Sequence, residues 1–205
     1  MKVLVFLYPI KEYFDASIGR RTTSEFDYYD SRYLPERLIQ IVDRRYRRKG
    51  YKIVWIMFSS KENKSKPDCD QLSEFITIDD SDVVAANGVT FSDHCTLKLY
   101  PDPANIISCL PVEKDDVSDL VIAGFHMWDC VDKLASYAHD QGFPVKVDQD
   151  LTEHYFSRTL VDGKVPFVRR IPAYVEILRS MDEYGQELWL EARQNRPWLE
   201  KPGSL

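Results

Sequence analysis

The sequence predicts one α/β domain in which a mainly parallel, doubly wound sheet carries helices on both faces. Three apolar runs support this prediction, because a strand that is buried on both sides is hydrophobic at almost every position. These runs are residues 3–7, 52–57 and 120–123. Helical patterns separate them, and strands that alternate with helices form parallel sheets. We expect the three strands to lie side by side at the centre of the sheet.

The composition is that of an ordinary globular protein and argues against several functional classes. The chain has 205 residues, of which 44% are hydrophobic and 29% charged, and we expect residues 1–205 to form a single domain. A net charge of −6 argues against binding to nucleic acid or to a membrane surface. No apolar run has the length of a membrane span, and no secretory signal is recognisable. Four cysteines without CxxC or metal-site spacing favour a reduced, cytoplasmic setting.

Weaker patterns predict the remaining elements. Residues 11–31 are polar and rich in tyrosine, which indicates a long loop, and residues 34–46 have a helical stripe that ends in basic residues. We interpret the basic run as a solvated face that complements the helix dipole, in preference to an anion site. Further short elements are predicted at 76–84 (strand), 105–110 (helix), 165–168 (strand) and 173–184 (helix). Residues 185–205 carry Trp189 and Trp198 and are predicted to be a tail that packs on the domain or on a partner subunit.

The most informative stretch is residues 119–150, which reads as a strand, a helix and a second strand. A helical stripe begins at Met127, and Gly142 is a typical helix stop. Cys130 falls in the first turn of this helix, at the carboxyl end of a strand, where active sites of open α/β sheets lie. A helix N-terminus favours a thiolate, so Cys130 is a candidate nucleophile. The alternative is that Cys130 is a small buried hydrophobic residue.

The same stretch resembles the isochorismatase-like cysteine hydrolases, a family that includes nicotinamidases. In that family a strand ends in Gly, five residues follow, and then come Cys-Val, an alanine-containing helix, Gly-Tyr/Phe, an alternating strand and Asp. The matching positions here are Gly124, Cys130, Val131, Ala135, Ala138, Gly142, Phe143, Val145, Val147 and Asp150. The resemblance is dense over about thirty residues. It implies a doubly wound fold and a cysteine hydrolase ancestry.

The resemblance also implies roles for residues outside this stretch. The family pairs its cysteine with a lysine, and Lys98 stands at the expected distance of 32 residues before Cys130. The family's general base is an aspartate at the end of the first strand, where this chain has Tyr8 and Pro9. Tyrosine is a poor base, because its pKa is ordinarily near ~10. Glu12 is then the substitute base, provided that the chain after the first strand folds back towards Cys130.

The loop between Gly124 and Cys130 departs from the family pattern as well. The family has small residues there and a non-proline cis peptide that helps to shape an oxyanion hole. Here the loop is bulky, and with Tyr8 its side chains are predicted to line and fill the substrate pocket: Phe125, His126, Met127 and Trp128. Ser59, Ser60 and Lys61 replace the metal-binding Asp-x-His of nicotinamidases, so we expect neither a metal nor another cofactor.

Two functional hypotheses follow. In the first, the chain is a divergent, catalytically silent relative that keeps the scaffold for small-molecule binding or for assembly as a homo-oligomer. In the second, it is an active cysteine hydrolase of the amidase type that acts on a small C–N substrate through Cys130, with Lys98 as the electrostatic partner and the amides of His126 and Cys130 as oxyanion donors. The missing aspartate favours the first hypothesis.

Overall fold

A computed structural model describes residues 1–16, 34–152 and 182–199, and its central element is a parallel sheet. The five strands are β1 (Lys2–Leu7), β2 (Tyr51–Met57), β3 (Val83–Ala86), β4 (Asp119–Gly124) and β5 (Val145–Thr152). The helices are α1 (Leu34–Arg45), α2 (Phe91–Leu97), α3 (Pro103–Ile107), α4 (Asp132–Asp140) and α5 (Glu183–Gln194). The strand order is β3-β2-β1-β4-β5, and every neighbouring pair is parallel.

Strand β1 is central because its side chains enter a hydrophobic core on each face of the sheet. Val3, Val5 and Leu7 belong to one core, while Leu4 and Phe6 belong to the other. All five side chains are fully buried. This double burial explains why the run is apolar at every position instead of alternating with polar residues.

Helices supply the second layer of each core. Leu38, Ile41 and Val42 of α1 join Leu4 and Phe6 on one face. The opposite face receives α3 and α4, which contribute Ile106, Leu134, Ala135 and Ala138. The predicted fold class, a doubly wound α/β sheet with helices on both faces, is therefore confirmed. The predicted central trio is confirmed too, since β1 lies between β2 and β4.

The register of the central strands brings their carboxyl ends to one edge. Leu7 of β1 is paired with Ile56 of β2 on one side and with Gly124 of β4 on the other. The chain segments that follow these three residues therefore emerge next to one another. Tyr8 and the loop that leads to Cys130 are thus neighbours by topology.

Gly124 is required where β4 approaches β1. Its φ is +110°, and a Cβ at this position would lie 2.7 Å from the amide nitrogen of Leu7 and would overlap the Leu7 carbonyl oxygen. That carbonyl accepts a hydrogen bond from the backbone N–H of Phe125 at 3.2 Å. A side chain at residue 124 would therefore push apart the two strands that position the candidate site.

Several predicted elements differ from the observed ones. Residues 11–16 are helical, so the prediction of a loop over 11–31 is wrong in this part, and residues 17–33 lie outside the described ranges. The short strand forms only at β3, while Ile76 packs in the core without strand pairing. The strand predicted at 165–168 lies outside the described residues. So does most of the helix predicted at 173–184, although Glu183 and Tyr184 begin α5.

The basic run at the end of α1 is not simply a solvated face. The Arg47 guanidinium forms ion pairs with Asp43 and Asp82, and the buried Asp82 carboxylate also accepts from the indole N–H of Trp55 at 2.8 Å. Arg45 lies 3.6 Å from Asp148 of β5. These arginines connect the end of α1 to Asp82, directly before β3, and to Asp148 in β5, because partly buried charges need partners.

Residues 185–194, expected to belong to a tail, are part of α5, and the last described residues pack on the domain. Trp198 and Leu199 are buried in the same core as α4. The backbone N–H of Val147 in β5 donates to the Trp198 carbonyl at 3.0 Å. In the described ranges, each helix is too short or too polar to cross a membrane.

We predict that Gly124→Ala destabilises the protein much more than Gly50→Ala. Both glycines have positive φ, but a Cβ at Gly50 meets nothing within 4 Å, so Gly50→Ala carries only the cost of left-handed backbone, about 1–2 kcal/mol. Gly124→Ala adds a clash with the backbone of β1 and should cost about 3 kcal/mol or more. Urea denaturation of the two variants measures the difference. Equal losses in the free energy of unfolding would show that β1 and β4 can move apart at Gly124 without cost.

A candidate site at the carboxyl edge of the sheet

Cys130 lies in a tight turn between β4 and α4. Residues Met127–Val131 form a π-helical turn, in which the N–H of Val131 donates to the carbonyl of His126 at 3.1 Å, and α4 continues from it. Cys130 is therefore at the head of the predicted helix, but in a π turn rather than in a regular first turn. Its side chain is 7% exposed and belongs to the core beneath α4.

Tyr8 faces Cys130 from the end of β1. Its side chain is buried, stacks on Phe58 with ring centroids 4.5 Å apart, and points its hydroxyl towards the Cys130 sulfur and the Asn87 side chain. The φ of Tyr8 is +56°, which is a strained conformation for a bulky residue. Its N–H still donates to the Ile56 carbonyl at 2.8 Å, so pairing with β2 holds this conformation.

A third polar side chain, that of Asn87, lies beside Tyr8, and the sequence analysis did not select it. It follows β3 directly and is fully buried. Its Oδ1 accepts from the backbone N–H of Val89 at 2.8 Å, which leaves Nδ2 on the side of Tyr8. Within the described part of the chain, neither Asn87 Nδ2 nor Tyr8 Oη makes a hydrogen bond of good geometry. We call Tyr8, Asn87 and Cys130 the neutral cluster.

The surroundings of Cys130 disfavour the thiolate. Burial, and after it the negative charge of Asp129, raise the pKa of Cys130 to about 11. The facing Tyr8 hydroxyl and the Lys133 ammonium act in the opposite direction without reversing the shift. Burial, followed by the charge that a Cys130 thiolate would carry, also raises the pKa of Tyr8 well above its ordinary value. Both groups are therefore protonated at neutral pH.

Lys98 and Glu12, which the family resemblance places next to the Cys130 thiol, lie away from it. Lys98 is solvent-exposed at the C-terminal end of α2, in a left-handed conformation with φ +56°. The cation that acts on Cys130 is Lys133, which is one turn further along the same chain segment and pairs with Asp129. Glu12 is exposed in the helical segment 11–16, whereas Cys130 is buried. The structure therefore brings Tyr8 to the thiol and Asn87 to Tyr8, and it leaves Lys98 and Glu12 in solvent.

The bulky loop before Cys130 does not fill a single pocket. Phe125 is buried in one core and Met127 in the other, on opposite faces of the sheet. Trp128 is 43% exposed at the surface. His126 is half-buried, and its ring lies 4.7 Å from that of Tyr13. Of the four predicted pocket residues in this loop, His126 and Phe125 both contact Tyr13, a neighbour of Tyr8, and the Phe125 ring lies 5.4 Å from that of Tyr13. The peptide bond between Phe125 and His126 is cis.

Aromatic rings surround the cluster on the side of β2 and α2. Tyr13 contacts Tyr8, Phe58 and Phe91, and its ring centroid lies 5.7 Å from that of Phe91. Phe58 also packs against His94. Among the described residues, no group of three His, Cys, Asp or Glu side chains lies close enough together to hold a metal ion. The described surroundings of Cys130 are thus aromatic and largely uncharged.

The fold and the site define a doubly wound α/β protein with a buried cysteine at the carboxyl edge of its sheet. Solved structures with a similar fold are isochorismatase-family proteins and cysteine hydrolases, the family that the Cys130 segment resembles. An isochorismatase from Pseudomonas putida is 14% identical, with coverage of 97% of this chain and 85% of that chain and a TM-score of 0.46. A putative isochorismatase hydrolase from Oleispira antarctica is 16% identical over 74% of each chain, with a TM-score of 0.45. The pyrazinamidase of Pyrococcus horikoshii, in complex with zinc, is 14% identical over 74% of this chain and 85% of that chain, with a TM-score of 0.43.

No family model matches this sequence, and no curated protein sequence matches it.

We predict that the alkylation rate of Cys130 follows a thiol pKa of about 11. This is opposite to the lowered pKa that the helix position and Lys98 led us to expect from the sequence. Asp129→Asn should lower the pKa of Cys130, because it removes a negative charge, whereas Lys133→Met should raise it. Iodoacetamide labelling as a function of pH, followed by peptide mass spectrometry, resolves Cys130 from the exposed Cys69 and Cys95. A pKa of Cys130 below ~8.5, the value of an ordinary thiol, would contradict the interpretation of the site.

Proposed function

We propose that the chain is a catalytically silent relative of the isochorismatase-like cysteine hydrolases, which keeps the scaffold for binding or assembly. The observation that supports this proposal most directly is the neutral cluster. A cysteine hydrolase needs a thiolate and a group that carries a proton to the leaving amine. The group that faces Cys130 is the phenol of Tyr8, which in turn faces the carboxamide of Asn87, and neither side chain takes up a proton at neutral pH.

The cluster retains features that suit the binding of a small molecule. Tyr8 Oη and Asn87 Nδ2 are buried donors without a partner of good geometry in the described ranges. A buried donor that lacks an acceptor costs about 1–3 kcal/mol, which a ligand oxygen or a water would recover. The aromatic side chains around Tyr8 provide apolar contact for such a ligand. A reduced, cytoplasmic setting is part of the same proposal and agrees with four free cysteines.

An active hydrolase remains the second candidate because one observation favours it. Cys130 still lies at the head of a helix beyond the carboxyl end of β4, and the Lys133 ammonium favours its thiolate form. Such an enzyme would require a base brought to the thiol during the reaction. Glu12 is the first carboxylate to consider, since it follows β1 by five residues.

We predict that the protein hydrolyses nicotinamide and simple aromatic amides no faster than its Cys130→Ala variant. Ammonia release measured over the neutral pH range, with both proteins at the same concentration, tests this. The reason is that Tyr8, which faces the Cys130 thiol, keeps its own proton at neutral pH, while the nearby Asp129 carboxylate is paired with Lys133. Turnover that is lost in Cys130→Ala would establish the second candidate. Glu12→Gln and Tyr8→Phe would then show which residue serves as the base.

We further propose that the protein is a homo-oligomer. Leu97, Leu99 and Tyr100 expose 64%, 45% and 48% of their surface within four residues at the end of α2, a concentration of apolar surface that association would cover. Light scattering at micromolar concentrations should give a mass of at least twice 24.0 kDa. Leu99→Ser should lower that mass, whereas Leu190→Ser, at a residue of α5 that is as exposed as Leu99, serves as the control. A monomer mass at all concentrations would rule out the proposal.

A further inference from the structure

The C-terminal segment is attached to the chain on both sides of Cys130. Asp132, two residues after Cys130, accepts hydrogen bonds from Arg196 Nε through both carboxylate oxygens at 2.9 Å. Trp128, two residues before Cys130, lies beneath the same arginine, whose guanidinium carbon is 5.3 Å from the indole centroid. Arg196 therefore contacts Trp128 within the π turn that carries the thiol and Asp132 directly after it.

Trp198 adds three further attachments. Its indole N–H donates to Asp132 Oδ1 at 3.0 Å, and its backbone carbonyl accepts from Val147 of β5 at 3.0 Å. The ring packs against His139 of α4 with a centroid distance of 5.6 Å. The segment thus binds the start of α4, the side of α4 and the strand that follows, which fixes its position over this corner of the fold.

These contacts are stronger than an ordinary surface ion pair. The side chains of Arg196 and Asp132 are 31% and 17% exposed, and the Asp132 carboxylate receives donors from two residues. Charge-assisted hydrogen bonds of this kind are stronger than neutral ones, and partial burial reduces their screening by salt. Releasing the segment would leave the Asp132 carboxylate without these donors and would expose the buried Trp198.

We propose that residues 193–199 form a strap that holds the Cys130 turn closed, so that release of the strap controls access to the thiol. Cys130 is 7% exposed while the strap is in place. Local opening of such an attached segment occurs with a free energy below that of global unfolding, and the lost contacts set its frequency. The proposal concerns access to Cys130 and holds whether or not the protein hydrolyses a substrate.

Two substitutions test the strap. Arg196→Ala removes the guanidinium, and Asp132→Asn keeps the shape of its partner while removing the charge. Each should raise the rate of Cys130 labelling by N-ethylmaleimide about tenfold at constant pH. The loss of one charge-assisted hydrogen bond changes the equilibrium between the attached and the released segment by about this factor. A purely electrostatic effect on the thiol would move the two rates in opposite directions, because one variant loses a positive and the other a negative charge. Rates that rise in both variants therefore support the strap.

Two internal controls separate local from global opening. Cys109 is partly buried near the end of α3, and its labelling in the same samples should not change. Arg48→Ala removes an exposed arginine at the amino-terminal side of β2 and should leave Cys130 labelling as in the parent protein. The proposal is overturned if Cys130 labelling is unchanged or falls in either strap variant. It is also overturned if Cys109 labelling rises in parallel, or if Arg48→Ala has the same effect as Arg196→Ala.

Discussion

The close approach of β4 to β1 at Gly124 and Leu7 is the constraint on which the candidate site depends. Without a side chain at residue 124, the backbone N–H of Phe125 reaches the Leu7 carbonyl. The next residue of each strand then lies at the same edge, so that Tyr8 faces the turn that carries Cys130. A parallel sheet brings the ends of its strands together in any case. The glycine makes that approach close enough for a phenol hydroxyl to face a thiol.

The chemistry of the site follows from what the strand ends supply. The ends of β1 and β3 supply Tyr8 and Asn87, neither of which carries a charge at neutral pH. A buried thiol in such surroundings keeps its proton, because the low local dielectric penalises the thiolate and few charges offset the penalty. The nearby ion pair of Lys133 and Asp129 does not change this, since its two charges act on Cys130 in opposite directions.

Sequence reasoning predicted the fold because the signals for it are local. Apolar runs and a helical stripe are visible in one segment at a time, and the Cys130 crossover was correct in its strands, its helix stop and its buried residues. The end of β1 also directed attention to Tyr8. By contrast, Lys98 was selected by its distance along the chain from Cys130, and such a distance does not show which residue reaches the edge of the sheet.

Asn87 could have been found from the sequence by a different argument. A short strand was expected near Val83 and Val84, and Asn followed by Gly, as at residues 87 and 88, is a sequence typical of a turn. The residue after a parallel strand lies at the same edge as Cys130, so Asn87 qualified by position. No pattern in the sequence predicts the π turn or the exposed position of Trp128, because both depend on tertiary packing around α4 and α5. The contacts of Arg196 with Asp132 likewise join residues that are 64 positions apart.

The hydrogen bond from Val147 to the Trp198 carbonyl has a consequence for association between chains. β5 is paired with β4 on one side, and the N–H of Val147 points away from that neighbour. An unpaired strand edge is a template on which another extended chain can add. By occupying this donor, the C-terminal segment reduces the edge that β5 presents to other molecules. Among the described residues, loss of this segment would leave the N–H of Val147 without its acceptor, and it would favour association through backbone pairing rather than through exposed side chains.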